Sequence, residues 1–116
     1  MLEVMIAIML SSIAMIGIVA LYRVQTAASS FSRRTSEASV LANDQLERLR
    51  TVAIAGTTTS GAQANLDERG RVVAGAPFTR SWAMAPNAAE YYDIAVTVTW
   101  FDNGNRSLVV RGRRNP

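Results

Sequence analysis

The sequence predicts an α+β fold, in which one long N-terminal helix packs on a small antiparallel meander of three to four strands. Two observations predict it. Apolar residues recur at a helical spacing from about residue 2 to about residue 55, and an alternation with a period of two follows further along the chain. The 116 residues suffice for one small domain. We expect an apolar half-helix at 1–22, an amphipathic half-helix at 23–55 and a β-sheet head at 56–116, the head completing one globular domain with the amphipathic half-helix.

The first segment is apolar enough to cross a membrane. Leu2–Tyr22 contains one charged residue, Glu3, and a helix needs about 20 apolar residues to cross the hydrocarbon core. Ser11 and Ser12 fit such a helix because their hydroxyls can bond to carbonyls one turn earlier. The side chains expected to pack in this environment are Leu2, Val4, Met5, Ile6, Ile8, Met9, Leu10, Ile13, Ile16, Ile18 and Leu21.

A secretory signal peptide and the core helix of a soluble protein are the alternatives for this segment. A signal peptide begins with basic residues and ends at a small-residue cleavage site, and the run has neither feature. A core helix needs enough following sequence to enclose it, and the remaining chain is too small for that. Membrane anchoring is therefore favoured.

The second segment continues the helix with an apolar stripe on one face. Small or apolar residues recur in steps of three or four, at Val24, Ala28, Phe31, Thr35, Ala38, Ala42, Leu46, Leu49 and Ala53. The opposite face is charged and includes Asp44 and Arg48 at the favourable i,i+4 spacing. A helix over residues 2–55 would be about 80 Å long, so less than half of it fits in a bilayer. Gly56 is the expected terminator, followed by a flexible loop at 57–61.

The head is predicted to be a meander of short strands packed on the apolar stripe. Alternating stretches predict strands at 78–84, 92–100 and 107–111. Val72-Val73 is a candidate edge strand, Asn103-Gly104 predicts a tight hairpin, and Arg80 interrupts the apolar face of its strand. The expected head core is Phe31, Leu41, Leu46, Leu49, Trp82, Ile94, Val96, Val98 and Trp100.

Composition argues against catalysis. The chain has no cysteine and no histidine, so it lacks a thiolate nucleophile, an imidazole base and the usual zinc ligands. No phosphate loop, dinucleotide fingerprint or paired-carboxylate motif is present. We therefore expect no enzyme and no cofactor or metal site. The net charge is +3 and all twelve basic residues are arginine. Nucleic-acid binding through Arg106, Arg111, Arg113 and Arg114 is less favoured than a solvated basic tail.

The N-terminal residues resemble those of a known family. Leu2-Glu3-Val4-Met5-Ile6-Ala7-Ile8, before an apolar run and a long amphipathic helix, resembles the prepilin-type N-terminal methylation motif of type IV pilins and type II secretion pseudopilins. The likeness covers residues 2 to about 50. In the head, Phe78–Trp82 and Val96–Trp100 are similar to PilV-type minor pilins and their I-type pseudopilin relatives. Family members open Phe-Thr-Leu before Leu/Ile-Glu, so we expect that start, and a short basic leader, to be encoded upstream of Met1.

The resemblance implies an assembly role for Glu3. In similar pilins this glutamate pairs with the N-terminal amine of a neighbouring subunit, which sets the axial register of helices in the filament core. A buried charge pair is better suited to fixing register than to adding stability. The resemblance also implies that a prepilin peptidase removes the leader. The basic residues visible beside the span follow it, at Arg23, Arg33 and Arg34, so the positive-inside rule alone would place the head in the cytoplasm. The family places the head on the opposite side of the membrane. A basic leader on the cytoplasmic side would resolve that conflict.

The function implied by the resemblance is that of a minor pilin in the bacterial inner membrane, with its head in the periplasm. Such a subunit joins the major pilin and other minor pilins on the assembly platform, primes the pilus, and sits at the fimbrial tip with an adhesin as a candidate partner. Twitching motility and cell adhesion are the associated processes. An I-type minor pseudopilin of a type II secretion system is the first alternative, and a DNA-uptake pilin using Arg111, Arg113 and Arg114 is the second.

Overall fold

The computed structural model describes residues 1–51 and 59–115. These residues form one helix and four strands: α1 (Leu2–Thr51), β1 (Thr59–Leu66), β2 (Phe78–Pro86), β3 (Tyr92–Phe101) and β4 (Asn105–Arg114). The strands make one antiparallel sheet in the order β1-β2-β3-β4, so each pairs with its neighbour in sequence. The predicted α+β fold is therefore confirmed. The predicted helix end near residue 55, its terminator Gly56 and residues 57–58 of the expected loop lie outside the described residues.

The chain divides into two compact units, Met1–Arg33 and Arg34–Pro116. The first unit is helical from Leu2 onwards, and all of its side chains are exposed. One of its polar side chains bonds back to the helix: the Ser12 hydroxyl donates to the Ile8 carbonyl oxygen at 2.8 Å. This is the bond to the preceding turn expected for a serine in an apolar helix.

The core of the second unit lies between one face of α1 and one face of the sheet. On α1 the buried residues are spaced by three and four, which places them on one face: Ala38, Leu41, Ala42, Gln45, Leu46 and Leu49. On β3, Ile94, Val96, Val98 and Trp100 alternate with more exposed residues. Among the described residues, the buried apolar cluster consists of Ala38, Leu41, Ala42, Leu46, Leu49, Leu66, Phe78, Met84, Ile94, Val96, Val98 and Trp100.

One residue predicted for the head core, Phe31, lies outside it. Its side chain is 43 % exposed, and burial on α1 begins only at Ala38, about two helical turns later. Trp82 is partly buried and packs against the cluster. The spacing of apolar residues predicted the correct face of the helix, but it continues beyond the part of that face that is buried.

Strand β1 replaces part of the predicted loop. Thr59, Ser60 and Gly61 were expected in a flexible connection, and they pair instead with Met84, Ala83 and Trp82 of β2. Gly61 makes this pairing sterically feasible, because a Cβ there would lie 2.5 Å from the Trp82 indole. The expected edge strand at Val72-Val73 is absent, since Val72 makes only an isolated bridge to Leu66.

The β3–β4 hairpin has the tight turn that its sequence predicts. Phe101 pairs with Asn105, and the turn between them places Asn103 at a φ of 53° and Gly104 at a φ of 141°. Asparagine and glycine are the residues that adopt positive φ most readily. The hairpin register then continues without a shift to the pair Tyr92–Arg114.

Candidate assembly segment and polar sites of the head

The N-terminal apolar segment, residues 2–22, is exposed on every side. All eleven residues predicted to pack in a membrane or filament core are exposed here, from 49 % for Ile6 to 73 % for Leu2. By length and composition, α1 can cross a membrane. A helix that is apolar all round is typical of a membrane span or of the interior of an assembly, since a surface helix of a soluble domain has one polar face.

Glu3 is the only acidic residue of this segment, and it lies in the first turn of α1. The unpaired backbone N–H groups of a helix start carry partial positive charge, so a carboxylate is favoured there over the helix centre. Further along the span, the same group would cost about 3 kcal/mol to place in hydrocarbon. The position is therefore the least costly one in the segment for a carboxylate, whether it faces water or a partner.

Arg80 of β2 is buried in the core of the head, with 1 % of its surface exposed. Its Nη2 donates to Gln63 Oε1 at 2.6 Å, and its Nη1 donates to the Leu41 carbonyl oxygen at 3.2 Å. Asp44 Oδ2 lies 3.5 Å from Nη1. Burial lowers the pKa of Arg80 and Asp44 opposes that shift, but an arginine remains protonated in proteins. The guanidinium thus links α1, β1 and β2 through charged hydrogen bonds.

A second polar site, at Asp67, closes the turn that follows β1. Asp67 Oδ1 accepts hydrogen bonds from the backbone N–H groups of Arg69 and Arg71, at 3.0 and 2.8 Å. Its Oδ2 accepts from the Arg71 side chain at 2.9 Å. These bonds, chiefly that from the Arg71 backbone, hold the pKa of Asp67 below its usual value. These bonds organise the loop that follows β1.

The arginines near the end of the chain do not form one surface. Arg114 lies on the sheet face toward α1, where its Nη1 donates to the Leu49 carbonyl oxygen at 3.0 Å. Arg113 lies on the other face, paired with Asp93 at 3.2 Å and stacked over Tyr91 at 5.9 Å. Arg111 is exposed on that same outer face. Strand alternation thus divides the residues expected for DNA binding between two faces.

Within the described residues, no cluster of acidic, histidine or cysteine side chains is placed to hold a metal ion. The polar constellations that sequence reasoning missed are the partners of Arg80 and the Asp67 turn. An arginine at an inward position of an alternating strand is the signal for the first. For the Asp67 turn, the signal is an aspartate followed two and four residues later by the backbone N–H groups that it binds, a spacing that is common in turns.

No protein-family model matches the chain, and neither the curated proteins nor the solved structures include a significant match. The fold and the physical character of each segment are therefore what characterise the molecule. It combines a long N-terminal helix, whose first part is apolar enough to cross a membrane, with a four-stranded antiparallel sheet.

Proposed function

We propose that this chain is a minor pilin that helps to prime a type IV pilus and forms part of its tip complex. The observation that carries the proposal is an exposed, all-round apolar helical segment with a single carboxylate in its first turn. The amphipathic part of the same helix packs on a sheet. A plain membrane anchor needs only the apolar length. A subunit that moves from the membrane into the core of a fibre also needs a group that fixes its axial position relative to the neighbouring helices.

We propose that Glu3 is this group. In the filament core its carboxylate pairs with the N-terminal amine of a neighbouring subunit, after a prepilin peptidase has removed a leader. Each charge alone is costly among apolar side chains, and the pair is tolerated only where the two groups meet. One axial offset between neighbouring helices is thereby selected. The proposed partners are other minor pilins, the major pilin and a tip adhesin. Before assembly, the subunit is held in the inner membrane.

Replacing Glu3 tests this proposal. Glu3→Gln keeps the size of the side chain and removes its charge, so insertion into the membrane should be unchanged while incorporation into fibres falls. We expect the ratio of sheared-fibre to membrane protein to fall by at least about tenfold, which corresponds to about 1.4 kcal/mol. Glu68→Gln makes the same chemical change at an exposed position of the head and serves as the matched control. Equal ratios for the two variants would overturn the assignment of Glu3.

An I-type minor pseudopilin of a type II secretion system would have the same anchor and the same helix packing. The deletion phenotype distinguishes the two functions: loss of twitching and surface fibres supports the pilus, and loss of protein export with normal fibres supports the secretion system. The DNA-uptake alternative is less favoured, because Arg114 is engaged on the inner face of the sheet and Arg113 is paired with Asp93.

A further inference from the structure

Strand β4 leaves one edge of the sheet open. It is the last strand in the order β1-β2-β3-β4, so in the part of the chain that the structure describes its only strand partner is β3. All ten residues from Asn105 to Arg114 pair with β3 in one unbroken register. The open edge is therefore about 34 Å long at the rise of an antiparallel strand, well above the usual strand length. Each edge of this kind presents a row of backbone donors and acceptors to solvent.

β4 itself carries none of the protection usual for such an edge, except for charge. β4 contains no proline, and its register has no bulge. Its centre, Leu108-Val109-Val110, is rich in the residues most favourable to β structure. β4 contains no acidic residue, and its Arg113 forms an ion pair with Asp93 of β3. Four arginines flank the centre of the strand: Arg106, Arg111, Arg113 and Arg114. The edge is thus a regular template with a strong positive charge.

We propose that the open edge of β4 binds an extended, acidic segment of a partner protein as an additional antiparallel strand. Backbone hydrogen bonds would give the affinity, and acidic side chains placed across from the arginines would give the selectivity, because opposite charges on paired strands stabilise the pairing. Arg111 is the principal selector, since its side chain is exposed and makes no hydrogen bond or ion pair with another described residue. The inference concerns the head and does not depend on the role proposed for the apolar segment.

A second copy of this chain does not suit the edge. Directly opposite residues of an antiparallel pair share a face of the sheet, so a two-fold pairing that sets Val110 opposite itself places Arg106 opposite Arg114, and like charges directly across a strand pair are destabilising. Any pairing of two copies also brings eight arginines to one seam, with no acidic residue in either β4 strand to offset them. Nucleic acid suits it less well too, because the arginines are divided between the two faces of the sheet, two on each. An extended acidic chain can reach both faces through its own alternating side chains.

The test uses the full chain in uncharged detergent micelles with fluorescent ten-residue peptides. The first peptide alternates glutamate with valine and threonine. The second has the same sequence with every other backbone nitrogen methylated, which blocks strand addition on one edge, and the third has lysine for glutamate. We expect the first to bind and to slow hydrogen exchange at alternate amides of β4, and the other two to bind at least about tenfold more weakly.

Variants identify the edge. Arg111→Glu should weaken binding of the acidic peptide at least about tenfold, while Arg69→Glu, the same charge change in the loop after β1 at the opposite edge, should leave it within about twofold. Equal binding of the methylated and unmethylated peptides would overturn strand addition, as would protection confined to β1. Binding of a DNA duplex that depends on Arg111, with no binding of the acidic peptide, would replace this inference with a nucleic-acid site.

Discussion

Replacing Arg80 is expected to separate the cost of burying its charge from the benefit of its hydrogen bonds. Arg80→Ala removes the hydrogen bonds to Gln63 Oε1 at 2.6 Å and to the Leu41 carbonyl oxygen at 3.2 Å, together with the 3.5 Å contact to Asp44, and leaves a cavity in the core. Hydrogen bonds to charged groups contribute about 1.5–3 kcal/mol each. The desolvation of the guanidinium is relieved at the same time, and its buried Nε has no partner to lose. We expect a net loss of about 3 kcal/mol in the free energy of unfolding.

Arg80→Met gives the contrasting result. Methionine refills most of the volume and carries no charge to desolvate, so the loss should be only about 1 kcal/mol. Asp44→Asn should cost about 0.5 kcal/mol, because Asp44 is 46 % exposed, lies 3.5 Å from the guanidinium and is screened by solvent. The order of destabilisation is therefore alanine above methionine above the Asp44 variant.

Urea unfolding of the full chain in mild detergent, followed by tryptophan fluorescence, measures these changes. Both tryptophans, Trp82 and Trp100, belong to the unit Arg34–Pro116, so the signal reports the head and not the apolar segment. A methionine variant as destabilised as the alanine variant would contradict this expectation, since the desolvation cost would then be negligible beside the hydrogen bonds. A loss below about 1 kcal/mol for alanine would show that the bonds contribute little.

Two further changes in the head are measured by the same unfolding assay. Gly61→Ala should lower the free energy of unfolding by about 2 kcal/mol, because the new Cβ would lie 2.5 Å from an indole ring. Gly112→Ala should lower it by about 1 kcal/mol, because its Cβ meets the end of a flexible leucine side chain at 2.8 Å. The reverse order of the two losses would contradict this expectation. The pKa of Asp67 is lowered by hydrogen bonds, chiefly from the Arg71 backbone. The contribution of this carboxylate to the stability of the fold is therefore complete above the ordinary pKa of 3.8 and is lost as the pH falls below that value. Asp67→Asn should make the free energy of unfolding fall less steeply as the pH is lowered. Part of the fall should remain, because the pKa of Asp93 is lowered as well. An unchanged pH profile would exclude Asp67 as a contributor.

Sequence reasoning succeeded where one physical period dominated a long stretch. β3 was predicted from clean alternation, and its buried residues Ile94, Val96 and Val98 are those that the alternation placed inward. It failed for β1, whose small and polar residues are typical of a loop. What makes that segment a strand is pairing with β2, including the room that Gly61 leaves for Trp82, and pairing of this kind is not encoded in local propensity.

Properties that depend on neighbours along the chain follow from the local sequence: the apolar run with its single carboxylate Glu3, the long helix, and the Asn-Gly hairpin. Properties that depend on distant residues follow from the packing of the folded chain. It brings acceptors 17 and 39 residues away to Arg80, it leaves Phe31 outside the buried cluster, and it divides the terminal arginines between two faces. The reason is that burial and hydrogen bonding between elements depend on how the helix and strands pack, which the local period of a sequence does not record.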